Sequence, residues 1–185
     1  ATCNSVKMYG GDFQCPAIHI FRASATIYNN TVKNNVGDAL RIKGSIVNVQ
    51  NNNMQTDSFA VNISHHDDNY GNKYGSIGYF SGNTFTNATQ VYNITESRVT
   101  IQSEYIPDAG GNEIYPIQLQ WLGSECPSVQ NECLKVPDTA NMPPAEMPMS
   151  LDLVNNSTVL SYAGLQNFDN TKIHVQNQNS PWGSQ

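Results

Sequence analysis

Two short segments, IYNNTV and VQNNNM, constrain the fold of this chain more than any other feature, because they repeat one pattern twenty-two residues apart. Each places an apolar residue before a run of asparagines and another apolar residue after it. Asparagine is a poor strand former and a good turn former, since its short amide bonds to nearby backbone and tolerates left-handed geometry. Each segment therefore predicts a strand, a corner and a second strand. Recurrence with a period of about 20 to 50 residues is typical of solenoids and arrays.

The same frame recurs along most of the chain. An apolar strand residue is followed three positions later by a corner residue, and two positions after that by another apolar residue. The triplets are Ile27, Asn30 and Val32; Val49, Asn52 and Met54; Phe80, Asn83 and Phe85; and Ile101, Glu104 and Ile106. At the amino end Met8, Gly11 and Phe13 fit the frame as well.

A further strand precedes each triplet and carries an alternating pair of apolar residues. The pairs are Ile18/Ile20, Leu40/Ile42, Val61/Ile63, Tyr92/Ile94 and Ile117/Leu119. In three cases the second residue of a pair lies seven residues before the first residue of the next triplet. Between Ile63 and Phe80 the separation is seventeen residues, because HHDDNYGNKYG is inserted there. Alternation of period two directs these pairs to one face of a strand. Units this short cannot bury their apolar faces alone, so they must stack.

These repeating segments resemble the right-handed parallel β-helix of the pectin-lyase-like superfamily, which includes pectate lyases, polygalacturonases, phage tailspikes and many surface proteins. The segments are AIHIFRASATIYNNTVKNN, ALRIKGSIVNVQNNNM, FAVNIS…IGYFSGNTF and QVYNITESRVTIQSEYI, and they cover about residues 6 to 121. The resemblance implies an all-β solenoid of about five coils. It also implies a ladder of hydrogen-bonded asparagines at equivalent corners, which Asn30, Asn52 and Asn83 match and from which Glu104 departs.

An antiparallel β-sandwich is the alternative fold, because its short strands also alternate and turn often. A sandwich gives no reason for the constant offsets, so the β-helix is preferred. We expect a parallel β-helix domain in residues 1–133, an irregular wrap rich in Pro and Met with a cap in 134–167, and a polar tail in 168–185. The segment 134–150 holds four prolines, which are too dense for strands. At the amino end, either a Cys3–Cys15 bond closes the stack or residue 1 is the edge of a longer protein.

The charge balance excludes one class of partner. The chain has 15 acidic residues against 9 Lys plus Arg and a net charge of −6, with no basic cluster, so we expect no binding to nucleic acid. Its polarity comes instead from uncharged amides, with 24 asparagines. The sequence has no apolar run of about 18 residues, which predicts no membrane span.

Cysteines and glycosylation sequons point to an oxidising, extracellular setting. The cysteines form two close pairs, Cys3/Cys15 and Cys126/Cys133, for which local disulfides are favoured among three connectivities. Neither pair has the short spacing that zinc sites favour. Six Asn-x-Ser/Thr sequons begin at Asn29, Asn62, Asn87, Asn93, Asn155 and Asn156. We therefore predict a secreted or cell-surface glycoprotein.

The outward positions of the strands are the candidate binding surface, because enzymes of the resembling superfamily hold substrate along the outward face of one parallel sheet. One outward row is His19, Arg41, Asn62, Asn93 and Gln118, and a second is Phe21, Lys43, Ser64, Thr95 and Gln120. Such rows form either a polar stripe that binds an oligosaccharide or an ordinary solvated face. The candidates for carbohydrate contact are His19, Arg41, Lys43, Tyr70 and Tyr74.

The insertion offers the other candidate chemistry. His65, His66, Asp67 and Asp68 can bind a metal ion or exchange protons. Adjacent loop residues need ligands from elsewhere, however, and the stretch lacks the spacing of a calcium-binding EF-hand. We assign no metal ligands and no cofactor, with Ca²⁺ the only ion considered. A hydrated, mobile insertion is the simpler interpretation.

Two functions follow from these observations. The preferred one is an extracellular structural, adhesive or carbohydrate-contacting surface module, whose partners are polysaccharide or like subunits in a homo-oligomer, filament or sheath. The alternative is a polysaccharide lyase or glycoside hydrolase, or a fragment of one, acting through Arg41, Lys43 and the four residues His65 to Asp68. The catalytic elements of polygalacturonases are missing, so the sequence favours the non-enzymatic function.

Overall fold

The computed structural model describes residues 6–8, 11–13, 15–34, 37–68, 72–86, 90–106, 117–120, 134–135, 150–154, 162–163 and 173–176. These residues form β-strands joined by short corners, and no helix occurs among them. The strands are β1 (Val6–Met8), β2 (Gly11–Phe13), β3 (Ile18–Phe21), β4 (Ser24–Tyr28), β5 (Thr31–Asn34), β6 (Leu40–Lys43), β7 (Ile46–Gln50), β8 (Asn53–Thr56), β9 (Phe59–Ser64), β10 (His66–Asp67), β11 (Lys73–Tyr74), β12 (Ile77–Ser81), β13 (Thr84–Thr86), β14 (Gln90–Thr95), β15 (Arg98–Gln102), β16 (Ile117–Gln120), β17 (Leu134–Lys135), β18 (Ser150–Val154), β19 (Tyr162–Ala163) and β20 (Ile173–Gln176). The part of the chain described here contains no helix that is long and apolar enough to cross a membrane.

Three parallel sheets make up most of the structure. The first sheet has the order β3-β6-β9-β14-β16-β19, the second β4-β7-β12-β15-β18-β20, and the third β5-β8-β13. From β3 to β13 the strands of these sheets therefore visit the first, second and third sheets in a constant order, with β10 and β11 inserted, and β14 and β15 repeat the first two steps. We call each such set of consecutive strands a layer, so that β3, β4 and β5 form the first layer and β6, β7 and β8 the second. The all-β class is confirmed, and the antiparallel sandwich is wrong because neighbouring strands of these sheets run parallel.

The register matches the offsets in the sequence. Ile27 pairs with Val49, Val49 with Phe80, and Phe80 with Ile101 in the second sheet. In the first sheet Ile20 pairs with Ile42 and Ile42 with Ile63. Residues at equal positions of the repeating frame are thus neighbours in adjacent strands. This pairing explains why the offsets between residues within the frame are constant.

The core lies between the sheets and consists of the inward residues of each layer. Leu40, Ile42, Val61, Ile63, Ile94 and Ile101 are almost completely inaccessible to solvent, as are Val49, Phe80 and Tyr92. Phe80 and Phe85 both contact the Tyr92 ring edge to face, with centroids 5.2 and 5.7 Å apart. Burial of such a continuous apolar column is the main favourable contribution to folding, at about 25 cal/mol per Å² of apolar surface.

Two parts of the chain differ from the sequence-based frame. Met8 and Gly11, which fit the frame at the amino end, pair with each other in an antiparallel hairpin of β1 and β2, so this segment is not a parallel layer. At the other end β18, β19 and β20 extend the two large sheets beyond residue 133. Leu151 and Leu153 of β18 are fully buried, because the alternation in LDLV suits a strand on the open sheet edge.

The corners between strands consist of two residues with separate tasks. The first residue has a left-handed backbone: Arg22, Gly44 and Glu96 between the first and second sheets, and Asn29, Asn51, Gly82 and Ser103 after the second sheet. The second residue is polar in most layers, and its side chain bonds to the corner of the next layer. After the second sheet these residues are Asn30, Asn52, Asn83 and Glu104, and their side chains form a hydrogen-bonded ladder. The family resemblance implies such a ladder for the three asparagines.

Candidate functional site

The first outward row lies on the first sheet as the alternation predicts. His19 pairs with Arg41, Arg41 with Asn62, Asn62 with Asn93, and Asn93 with Gln118. The strand spacing of about 4.8 Å makes this a continuous polar row. Two side chains of the row also bond to each other, since Asn93 Nδ2 donates a hydrogen bond to Asn62 Oδ1 over 3.4 Å.

Asp38 fixes the middle of this row. Its carboxylate is 4% exposed and accepts hydrogen bonds from Arg41 Nε at 2.9 Å and from Arg41 Nη2 at 2.8 Å. Asn62 Nδ2 and Ser58 Oγ donate to the same carboxylate over 3.1 and 3.0 Å. The Arg41 guanidinium, one of the predicted contact residues, is therefore oriented and largely neutralised by Asp38.

The second outward row meets the insertion. Phe21 pairs with Lys43 and Lys43 with Ser64 along the sheet. Phe21 is 49% exposed, and its ring contacts the His66 ring edge to face with centroids 4.6 Å apart. The insertion thus packs against the candidate binding face at the end of the first sheet.

The described residues of the insertion form a short antiparallel hairpin, and the expectation of a hydrated, mobile insertion stays a prediction. β10 and β11 pair antiparallel, with His66 opposite Tyr74 and Asp67 opposite Lys73. Asp68 caps the turn by accepting from the backbone N–H and from Nδ2 of Asn72. β17 then adds to the free side of β11 in parallel orientation, so the insertion also holds a later part of the chain.

Three corner residues with a left-handed backbone, from layers on both sides of the insertion, contact the hairpin. Arg22 lies over the Tyr74 ring at 6.0 Å from its centroid, a distance suited to a cation–π contact. His65 Nδ1 and Lys73 Nζ lie 3.2 and 3.9 Å from Oε2 of the buried Glu96 carboxylate. Gly44, with φ of 52°, leaves room for His66, since a Cβ at residue 44 would lie 2.7 Å from His66 Cβ.

The substitution Gly44→Ala is expected to destabilise the protein by about 2 kcal/mol, because it combines left-handed strain with displacement of the hairpin. The matched control is Gly82→Ala, which has φ of 63° but whose Cβ would meet only the Asn51 side-chain oxygen. We expect the control to cost about 1 kcal/mol. Urea unfolding measures both, and hydrogen exchange should rise in residues 65–68 and 72–76 for Gly44→Ala alone. Equal losses in the two variants would contradict this role of Gly44.

Burial and nearby charges both act on the two histidines of this face. Burial and the charges of Arg41 and Lys43 lower the pKa of His19. Burial and the charge of Arg22 likewise lower the pKa of His66, although Asp67 and Asp68 act in the opposite direction. The two imidazoles therefore remain neutral to lower pH than a free histidine.

The predicted site residues are thus partly brought together. His19, Arg41, Lys43 and Tyr74 lie on or beside one face, whereas Tyr70 lies outside the described residues. His65 and His66 diverge, since the first contacts Glu96 and Asp67 and the second contacts Phe21. Of the alternative catalytic set, His65 and His66 therefore attach the hairpin, whereas Arg41 is bonded to Asp38 and Lys43 is exposed. The residues that the structure describes include no group of three or more His, Cys, Asp or Glu side chains able to hold a metal ion.

The predicted modification sites are described only in part. Asn29 is exposed at a left-handed corner, whereas Asn62 and Asn93 are half-buried and use their side-chain nitrogens in hydrogen bonds. Asn87, Asn155 and Asn156 lie outside the described residues, so glycosylation stays a prediction. Cys15 is disulfide-bonded. Cys3, Cys126 and Cys133 also lie outside the described residues, and the pairing stays a prediction.

Sequence reasoning missed a second ladder at the corner between the first and second sheets. Ala23 N donates to Ser45 Oγ, Ser45 N to Ser76 Oγ, and Ser76 N to Ser97 Oγ. Ser76 Oγ donates back to the Ser64 carbonyl across the insertion at 2.7 Å, so the hairpin leaves the ladder intact. The signal was present, because Ser45, Ser76 and Ser97 each lie directly before a strand of the second sheet. Comparison with protein-family models, with curated proteins and with solved structures finds no match to this chain.

Proposed function

We propose that the chain is a right-handed parallel β-helix of the kind its sequence resembles, and that it acts as an extracellular surface module that contacts carbohydrate. Constant strand order and constant register in three parallel sheets support the fold. Stacked layers of this kind present long, regular rows of side chains on a rigid support. Such rows suit a repeating ligand, since successive layers offer equivalent contacts.

One observation carries the proposal: aromatic and cationic side chains converge at the end of the first sheet. We call this surface the basic aromatic face. It consists of His19, Phe21, Arg22, Lys43, His66 and Tyr74. Flat rings contribute stacking area against sugar rings, and the cations donate hydrogen bonds to hydroxyl and carboxylate oxygens.

Cations lie on this face although the chain as a whole is acidic. The chain carries a net charge of −6, yet Arg22 and Lys43 are exposed here and form no ion pair among the described residues. Burial is the main cause of the lowered pKa values of His19 and His66, and nearby cations, Lys43 for both and Arg22 for His66, add to it. The face therefore favours polysaccharides with acidic groups over neutral ones. Like subunits are the other proposed partner, through association of rigid modules into an oligomer, filament or sheath.

Polysaccharide binding tests this function directly. Affinity electrophoresis and calorimetry with polygalacturonate, alginate and neutral dextran should show binding to at least one acidic polymer and weaker binding to dextran. The double variant Arg22→Ala/Lys43→Ala should weaken that binding at least about tenfold, because two charge-assisted contacts are lost. The loss should shrink at high salt, where charges on the surface are screened.

The matched control removes two cations from other faces. Lys33 on β5 and Arg98 on β15 are both exposed, so Lys33→Ala/Arg98→Ala changes the net charge equally. Equal weakening in the two double variants would show non-specific attraction and reject the face as a site. Shortening of the polymer during the assay would favour the lyase or hydrolase alternative instead.

A further inference from the structure

The first layer leaves one edge of the second sheet open. Among the described residues, β4 is the last strand of this sheet and pairs only with β7. At one end of the pairing Ile46 N donates to the Ala23 oxygen. At the other end Asn29 N donates to the Gln50 oxygen. Every second residue of β4 therefore bonds to β7, and the residues between them direct their backbone N–H and C=O groups away from it. The residues that point away are Ser24, Thr26 and Tyr28.

This edge is accessible to solvent. Ser24, Thr26 and Tyr28 are all exposed, whereas the residues that pair with them on β7, which has a strand on each side, are half-buried. The Tyr28 carbonyl accepts a bond from Asn30 Nδ2, and a carbonyl oxygen can accept a second one. Among the described residues, Ser24 and Thr26 have no backbone partner on this side. An edge of this kind is a template for another strand.

The side chains along this edge carry no charge. Natural proteins often protect open edges with charged side chains, lysine above all. On the corresponding edges of the first layer, β5 exposes Lys33 and β3 exposes His19. The exposed side chains of β4 bear only hydroxyl groups. The second sheet is therefore the one that can accept a strand at this end without opposing charges of the same sign.

The open edge of β4 is complementary to a second copy of itself in antiparallel orientation. With Thr26 opposite Thr26 of the second copy, Ser24 lies opposite Tyr28, and these residues aim their N–H and C=O groups at each other. Antiparallel residues placed in this way exchange both backbone bonds, and a Thr–Thr pair directly opposite is favourable. Arg22 then lies opposite Asn30 and not opposite another cation. The sequence of the edge therefore suits a twofold axis at Thr26.

The two ends of the stack differ. At the amino end the three sheets finish together in one layer, with β3, β4 and β5. At the other end the described strands of the three sheets finish at β19, β20 and β13, and β13 belongs to an earlier layer. A head-to-tail contact would join an even end to an uneven one, whereas a twofold contact joins two even ends. A twofold contact also closes after two copies.

We propose that two copies of this chain associate through the open edges of β4, antiparallel about a twofold axis at Thr26, so that their second sheets become continuous. The dimer rests on the proposed association of like subunits and specifies its edge and symmetry, and it requires no carbohydrate. His19 and Phe21 of the basic aromatic face lie on β3 of the same layer. A polymer long enough to reach both copies then binds two such faces, which strengthens its attachment.

Sedimentation of the wild-type chain without carbohydrate tests the association. We expect a reversible equilibrium between monomer and dimer at concentrations up to about 100 μM. A chain that stays monomeric over that range, or that grows into open polymers, would overturn the proposal. Polysaccharide binding is measured separately with the Arg22 and Lys43 variants, so a monomer that still binds acidic polymers would reject the dimer and leave the carbohydrate face standing.

Charges at residue 26 test the twofold axis. Thr26→Lys and Thr26→Glu each place like charges opposite one another and should weaken the dimer at least about tenfold. An equimolar mixture of the two variants should dimerise again, because residue 26 meets its own copy only at a twofold axis. The control Thr100→Lys changes the equivalent outward position on β15, which has a strand on each side, and should leave the dimer intact. A mixture that stays monomeric, or a control that dissociates equally, would overturn the proposal.

Discussion

Replacing Asn52 with leucine is expected to lower the free energy of unfolding by about 4 kcal/mol, although the two side chains have similar size. Asn52 is 1% exposed. Its amide donates to the backbone oxygens of Ile27 and Gln50 and accepts from Asn30 through Oδ1. Leucine would remove all of these side-chain bonds at a buried position, and each buried polar group that is left without a partner costs about 1 to 3 kcal/mol.

The neighbouring residue supplies a control for this substitution. Asn53 on β8 is exposed, and its only side-chain bond among the described residues is a 3.3 Å contact from Thr86 Oγ1. Asn53→Leu should change the free energy of unfolding by less than about 0.5 kcal/mol. Chemical denaturation of both variants measures the difference. If the two substitutions cost the same, the ladder does not contribute specifically to stability.

Replacing Asp38 with alanine is expected to cost about 3 kcal/mol, because its buried carboxylate joins three parts of the chain. Removal leaves Arg41 without its ion pair and Asn62 and Ser58 without an acceptor. Arg41 is 29% exposed, so water can solvate part of its charge after the change. The expected cost therefore lies at the lower end of the range of about 3 to 5 kcal/mol for broken buried pairs.

Two comparisons separate the charge from the hydrogen bonds at this position. Asp38→Asn keeps one acceptor oxygen and should cost less than Asp38→Ala. Asp57→Ala removes an exposed acid with the same change in net charge and should be close to neutral. Thermal unfolding at low and high salt checks the set. An Asp38→Ala variant as stable as Asp57→Ala would show that the network is not needed for the fold.

The binding face and the ladders share one structural origin. Layers in constant register bring equivalent positions together, which places His19 beside Arg41 on the surface and Asn52 beside Asn83 within the core. A variant that disturbs the register should therefore affect carbohydrate contact and stability together. The point variant of Lys43 should affect binding alone, since its side chain is exposed, whereas Arg22 also contacts the Tyr74 ring of the hairpin.

Much of this architecture was predictable from local patterns. Alternation of apolar residues assigned the inward pairs, and the frame Ile27, Asn30, Val32 with its repeats assigned the corners. The outward row from His19 to Gln118 followed from the same alternation. These features depend on positions within a single strand or corner, where the side-chain period and the turn preference of each residue dominate.

The roles of the insertion were not predictable in this way. The letters HHDD suggested a metal site or proton exchange, whereas the structure uses His65 to contact Glu96 and His66 to contact Phe21. Those partners lie in other layers: Glu96 follows His65 by thirty-one residues, and Phe21 precedes His66 by forty-five residues. The antiparallel hairpin of β1 and β2 was missed for a related reason, since an apolar frame fits either strand direction.

The sequence by itself determined which residues face inward, where the chain turns and how far apart equivalent positions lie, because these depend on side-chain period and backbone preference. Only the tertiary structure decided the antiparallel pairing of β1 with β2, the packing of the insertion over Gly44, the attachment of Arg41 to Asp38 and the contact of Glu104 with Tyr92. Each of these depends on contacts between residues brought together by stacking, and contact energies of that kind leave no period in the sequence.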